Sequence, residues 1–269
     1  MKILISGGSG FIGKHLVNYL IKKKNDIMLI GRNLEYFTET KVKKHSLDLN
    51  NPLNEHHEIA KYNPDVFIHL AWEGIPSYTD ELSRKNYLNT IRIIKFLVNF
   101  TNCTKIISTG SCWEYNDGNI QGACNEDMVV NPTKPFSIYK KKIFDEVFEM
   151  VNKKNILFNW LRLFYVYGPG QRGESIIPML IEKIKNKKKI NVNFPANIND
   201  YIYIDDVVKI INYFLIDSIK TGIYNLGTGK GIEVKNLVKI IDYKIYGKYT
   251  LTKEYSSLFD SNKRNQNFY

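Results

Sequence analysis

A short apolar run, Lys2-Ile-Leu-Ile-Ser6, breaks at Gly7-Gly-Ser-Gly-Phe-Ile-Gly13 and resumes with the periodicity of a helix. Few arrangements suit that pattern: a strand must turn tightly into a helix that packs back against it. Gly7, Gly10 and Gly13 stand three apart, and each place has a use. The first permits the tight turn, the second lets a pyrophosphate approach the backbone, and the third lets helix pack on strand. The free N–H groups of a helix opening at Phe11 and Ile12 would then hold phosphates. A glycine triplet alone occurs in many loops; placed directly after the first strand, it marks a dinucleotide site.

The rest of the chain continues the alternation of strand and helix. Residues 26–31, 41–47, 65–70, 104–109, 157–164 and 222–226 read as strands, and 11–23, 54–61, 78–100, 136–152, 176–186 and 205–215 as helices. Strands joined by helical crossovers imply a parallel sheet covered on both faces. The fold class is therefore α/β, a doubly wound parallel (Rossmann) sheet with a small C-terminal substrate-binding lobe. Residues 1–168 and 198–226 are expected to form the dinucleotide-binding domain, with 200–204 returning to the main sheet. Residues 169–197, including a strand over 188–194, and 227–269 are expected to form the lobe over the strand ends.

Composition narrows the partners. The chain has 269 residues, 43% of them hydrophobic and 24% charged, with no apolar run long enough to span a membrane. A membrane partner is not expected, and a cytoplasmic location is. Cys103, Cys112 and Cys124 have no metal-ligand spacing and suit a reducing compartment. The net charge of +11 comes from lysines spread along the chain, as at Lys22–Lys24 and Lys187–Lys189. Solvated helix faces account for that better than nucleic-acid binding does, and a nucleic-acid partner is not expected.

At the end of the second strand, where an NAD site places an acidic residue against the ribose, stands Arg32, which can pair with a 2′-phosphate; as a bland alternative it is a surface arginine after a strand. The expected cofactor is NADP rather than NAD. With these residues go Asp48-Leu49, His69-Leu-Ala71, Asn86-x-x-x-Thr90, Arg162-x-x-x-Val-Tyr-Gly-Pro169, Asp200-Tyr-Ile-Tyr-Ile-Asp-Asp-Val207 and Tyr224-Asn-Leu-Gly-Thr-Gly229. In this set the sequence resembles the extended short-chain dehydrogenase/reductase family of nucleotide-sugar epimerases, dehydratases and ketoreductases, over nearly its whole length. Within that family it is most similar to the CDP-abequose and CDP-paratose synthases, which reduce the C4 ketone of a CDP-linked sugar with NADPH. The resemblance implies that Asp48 and Leu49 contact the adenine, and that Leu70 and Ala71 contact the cofactor's diphosphate and ribose region. It also implies a nucleotide-diphosphate sugar substrate and a homodimer pairing the helices near 78–100 and 136–152.

The family's chemistry uses a hydroxyl, a tyrosine and a lysine four residues after the tyrosine. Hydride arriving at a ketone leaves an alkoxide that needs a proton donor, and a nearby ammonium lowers the tyrosine's pKa. Ser111 is the favoured hydroxyl, just past a strand end, with Ser108 and Thr109 as rivals. The tyrosine motif breaks in Lys134-Pro-Phe-Ser-Ile-Tyr-Lys140. One register puts Phe136 in the tyrosine's place and Lys140 in the lysine's, residues that share a helix face; the other pairs Tyr139 with Lys142. Phe136 then has three readings: a Tyr-to-Phe change made to trap substrate, natural loss of the acid in a binding protein, or a proton supplied by another group, Tyr139 or a water. Trp72, Trp113, Tyr165 and Arg172 are expected around the sugar nucleotide, with core packing an equal reading for the two tryptophans.

Overall fold

The computed structural model describes residues 1–38, 41–54, 57–118, 122–190, 192, 194–216, 218–251 and 267–268. The chain runs β1 (Lys2–Ser6), α1 (Phe11–Lys22), β2 (Asp26–Gly31), β3 (Val42–Ser46), α2 (Glu58–Tyr62), β4 (Val66–His69), α3 (Asp80–Phe100) and β5 (Lys105–Ser111). A 3-10 turn (Cys112–Glu114) leads towards α4 (Pro135–Asn152), β6 (Leu157–Leu163), β7 (Tyr165–Tyr167), α5 (Ile176–Lys185), β8 (Ile198–Tyr203) and α6 (Ile204–Tyr213). Then follow β9 (Gly222–Leu226), β10 (Gly231–Glu233), α7 (Val234–Tyr246) and β11 (Asn267–Phe268).

Seven parallel strands form the central sheet in the order β3-β2-β1-β4-β5-β6-β9. The order reverses between β1 and β4, which opens a crevice at their carboxyl ends. Alternation along each strand feeds two cores. Ile3, Ile5, Leu29 and Ile68 pack under α1 and α6 against Leu16, Leu20, Val207 and Ile211. Leu4, Phe67, Ile106 and Phe158 pack under α3 and α4 against Ile94, Leu97, Ile143 and Val147. Burial on both faces is what the apolar, β-branched strands demand.

The head of α4 is fastened from a distance. Asp117 accepts from Thr133 N and Thr133 Oγ1 at 2.7 Å, from Lys134 N at 3.1 Å and from the Ser137 hydroxyl. Pro135 at the first helical position has no N–H to satisfy. Asp117 therefore ties the two residues before Pro135 to the Ser137 side chain of the first turn, where Lys134, at the N-cap, brings no side-chain cap.

Two expectations for the second half are corrected. Residues 200–204 do not rejoin the main sheet: β8 is the centre of a separate four-stranded sheet with β7, β10 and β11. Polar Asn199 and Asp200 suit that site, because buried Asp200 accepts from Thr228 N and Gly229 N, both at 2.7 Å, and pins the turn after β9. No strand forms at Lys188–Ile190, Val192 or Phe194; there Ile190 joins a core of Leu180, Ile184 and Val238 between α5 and α7. Most of the expected lobe beyond Leu251 lies outside the described residues.

Candidate active site

The glycine turn behaves as its spacing implies. Gly7 has φ +74°, and a Cβ there would lie 2.6 Å from Ala71 N. A Cβ on Gly13 would strike the Gly7 carbonyl oxygen and lie 2.7 Å from Gly8 Cα. Gly10, the N-cap of α1, brings no side chain to the helix head, and the first turn carries no acid. The N–H groups of Phe11 and Ile12 are thus left for an anion. In front of them lies a cleft of about 240 Å³ lined by Gly7, Gly10, Arg32, Asp48, Leu70 and Ala71. Leu49 and Trp72 also border it. Phe11, Ile12 and Gly13 stand behind it as the first turn of α1. A cradle that tolerates no Cβ, with free donors behind it, fits a dinucleotide diphosphate.

At the cleft mouth is a carboxylate the sequence did not single out. Glu73 takes Arg32 Nη1 at 2.9 Å and Lys85 Nζ at 3.0 Å. The Lys85 and Arg32 hydrogen bonds hold its carboxyl below the usual range, against the push of burial. Asn86 fixes its backbone, accepting from Glu73 N at 2.7 Å and donating to Glu73 O at 3.0 Å. Asp48 is likewise lowered, chiefly by Asn50 N–H, with Arg32 and Lys85 contributing.

Behind the cleft, His69 joins two elements. Its Nδ1 lies 2.7 Å from Ser6 Oγ and its Nε2 2.9 Å from Thr90 Oγ1. Thr90 spends its own proton on Asn86 O at 2.8 Å. It therefore accepts from Nε2–H, and Ser6 donates to Nδ1. Burial, aided by Lys140, pushes the imidazole pKa down to about 3, so the ring is neutral.

Beyond Ala71 the surroundings become aromatic. Lys140 is buried, donates from Nζ to Thr109 O at 2.7 Å and sits 4.1 Å from the Trp72 ring centroid. Burial lowers its pKa to about 8, partly opposed by Glu114. Phe136, 8% exposed, is one turn before it and packs edge-on against Trp72 at 5.1 Å and Trp113 at 6.0 Å, and against Tyr78 at 4.8 Å. Ser111 is half-buried at the end of β5, and its hydroxyl accepts from Trp113 N at 3.2 Å. Its rivals Ser108 and Thr109 are buried within the strand. Tyr165 accepts from Trp113 Nε1 at 3.4 Å, and Arg172, on an exposed loop, is near enough to Tyr78 to lower its pKa against burial.

Tyr139 is not part of this group, which corrects the second register. It stacks on Tyr87 of α3 at 5.6 Å, and Lys142 Nζ lies 5.0 Å from its ring. The physical reason is helical: Tyr139 is about 100° around the axis from Lys140, so one faces the sheet and the other α3.

A buried trio supports the chamber. Glu114 takes Ser111 N at 2.8 Å, Arg162 Nε at 3.0 Å and Trp160 Nε1 at 3.0 Å. A Cβ on Gly110 would strike both Glu114 Oε1 and Trp160 Nε1. The local signal for Glu114 was the Ser111-x-x-Glu114 capping box, which the structure contains; nothing local announced Trp160 or Tyr78.

A family model for the NAD dependent epimerase/dehydratase family matches residues 3–227. The chain belongs to that family. The dTDP-D-glucose 4,6-dehydratase of Dictyostelium discoideum is 28% identical over 91% of the chain, which spans 62% of that protein's length. The dTDP-4-dehydro-6-deoxyglucose reductase of Escherichia coli is 28% identical over 90% of the chain and 81% of its own length. The CDP-abequose synthase of Salmonella muenchen is 28% identical over 89% and 79%. Among solved structures, the dTDP-glucose 4,6-dehydratase of Bacillus anthracis in complex with NAD superposes with a TM-score of 0.82 at 18% identity, covering 100% of this chain and 86% of that one. Members of this family bind a nicotinamide dinucleotide, and the glycine cradle has the form such a group needs.

Proposed function

We propose that the protein reduces the C4 ketone of a nucleotide-linked deoxysugar with NADPH, in the making of sugar nucleotides for surface polysaccharide. The observation that supports the direction is the make-up of the chamber, where Phe136 rather than a phenol stands beside Lys140 and Tyr78 packs on Phe136. Burial raises the pKa of Tyr78 against the pull of Arg172, and raises that of Tyr165 well above its ordinary value. Phe136 offers no phenol beside the Lys140 ammonium. Such a site can give a proton at neutral pH and is poorly set to take one, which suits reduction better than the oxidation an epimerase or dehydratase performs first. A reduced nicotinamide bound in the cleft would supply the hydride. Lys140 would hold its ribose, Ser111 would orient the carbonyl oxygen, and the tryptophans would shield both from water.

NADPH is proposed over NADH because Arg32 and Lys85 are paired cations at the adenosine end, able to exchange Glu73 for a 2′-phosphate. Residues 1–168 with 198–226, apart from β7 and β8 of the second sheet, would bind the cofactor, and 169–197 with 227–269 the sugar nucleotide, in a cytoplasmic homodimer joined through α3 and α4.

The test is direct. Given CDP-, dTDP-, UDP- or GDP-linked 4-ketosugars, the protein should consume NADPH at least about tenfold faster than NADH, the worth of one charge-assisted contact. Interconversion of unoxidised sugar nucleotides without net cofactor consumption would establish an epimerase instead. The packing of Phe136 on three rings favours a second reading, a protein that binds cofactor and sugar nucleotide without turnover. Tight binding of both with no consumption of either cofactor would establish it.

A further inference from the structure

Of the hydroxyl-bearing or basic groups described around the chamber, three already have a part. Ser111 accepts from Trp113 N. Tyr165 is half-buried beside Trp113 and Tyr201, its hydroxyl accepting from Trp113 Nε1. Lys140 donates to Thr109 O, lies on the Trp72 face and is read above as holding the ribose. Tyr78 differs. Its ring lies 4.8 Å from Phe136 and 5.3 Å from Trp113, which places it one ring beyond the residue that stands a helical turn before Lys140. Arg172, on the loop between β7 and α5, is the nearby cation that draws the Tyr78 pKa down against burial.

We infer that Tyr78 is the proton donor of the reduction and that Arg172 is its positioning residue, a proposal that rests on the ketoreductase reading above. Arg172 has N–H groups only to donate. It therefore engages the phenol oxygen and leaves the phenolic O–H free to point at the substrate. The guanidinium also stabilises the phenolate that remains, the service an ammonium gives when it sits beside an acid. In the step itself, hydride adds to the carbonyl carbon, forming C–H, and the π pair moves to oxygen. The Tyr78 O–H breaks, its proton joins that oxygen, and the electron pair stays on Tyr78 until water returns a proton. The sugar carbon is reduced and the dihydronicotinamide oxidised.

The experiment uses the full chain and three variants, Tyr78→Phe, Arg172→Gln and the double variant Tyr78→Phe with Phe136→Tyr. Tyr78→Phe should lower kcat by about 100-fold or more with KM little changed, and the double variant should recover part of the loss. Because only protonated Tyr78 can donate, kcat should fall as pH rises through its pKa. Arg172→Gln removes the cation that lowers that pKa, so the falling limb should move to higher pH. A readout independent of turnover is carbon-13 NMR of the unliganded protein labelled at tyrosine Cζ. The resonance missing in Tyr78→Phe should titrate, and should titrate at higher pH in Arg172→Gln. If Tyr78→Phe keeps kcat within about threefold, or its resonance ignores Arg172, the acid role is overturned while the reductase reading stands. Activity that appears only with Phe136→Tyr also overturns it, and no activity in any form overturns reading and proposal together.

Discussion

The two ends of the site are built by opposite means. The cofactor cleft is made of backbone: a strand, a turn with no Cβ at Gly7 or Gly13, and the open head of α1. The chamber beyond Trp72 is made of side chains from distant segments, Tyr78 after β4, Trp113 after β5, Phe136 and Lys140 from α4. The first depends on what is absent along a dozen consecutive residues. The second depends on packing, with buried Lys140 and Glu114 held by hydrogen bonds to their neighbours. An anion site of backbone amides tolerates many neighbours; a chamber of interlocked rings tolerates few.

That contrast can be tested by breaking each end. The largest effect is expected under the chamber. Glu114→Gln leaves Arg162 buried without its carboxylate and should cost about 3–5 kcal/mol, read as a shift in the urea midpoint at unchanged slope. A loss below about 1 kcal/mol would mean that the pair behaves as a surface one. At the cleft, Gly13→Ala forces a Cβ into the Gly7 carbonyl and should cost about 1–3 kcal/mol. It should also weaken dinucleotide binding, measured by calorimetry, because the same turn aims the α1 amides. Unaltered binding would separate the glycine spacing from the cofactor.

The smallest effect lies between the two ends, at His69. Its folded pKa of about 3 is below the ordinary 6.5, so the unfolded chain binds a proton first. Stability is unaffected above pH 6.5 and falls as pH drops below it, by about 2 kcal/mol near pH 5. His69→Asn should be less stable at neutral pH, by about 1–3 kcal/mol for the hydrogen bonds lost, yet flatter with pH over the same window. An equally steep fall in the variant would place the acid sensitivity elsewhere.

Much of the cleft was legible because its determinants are local. The glycine triplet, the strand before it and Arg32 after β2 occupy one βαβ stretch, and local periodicity and steric demand are properties of neighbours in sequence. Glu73 was not legible, since its role comes from Arg32 on one side and Lys85 on the other. The chamber was half legible. The helical repeat put Phe136 and Lys140 on one face and left Tyr139 in contention until α3 was seen to take it.

The sequence by itself determined a doubly wound parallel sheet, a glycine turn that tolerates no Cβ before α1 and the shared face of Phe136 and Lys140, because each follows from chain geometry over a few residues. Only the tertiary structure decided that β8 leaves the main sheet, that Glu114 anchors Arg162 and Trp160, and that Tyr78 packs on Phe136. Those contacts join segments separated by tens of residues. Their partners are chosen by burial and shape across the fold rather than by spacing along the chain.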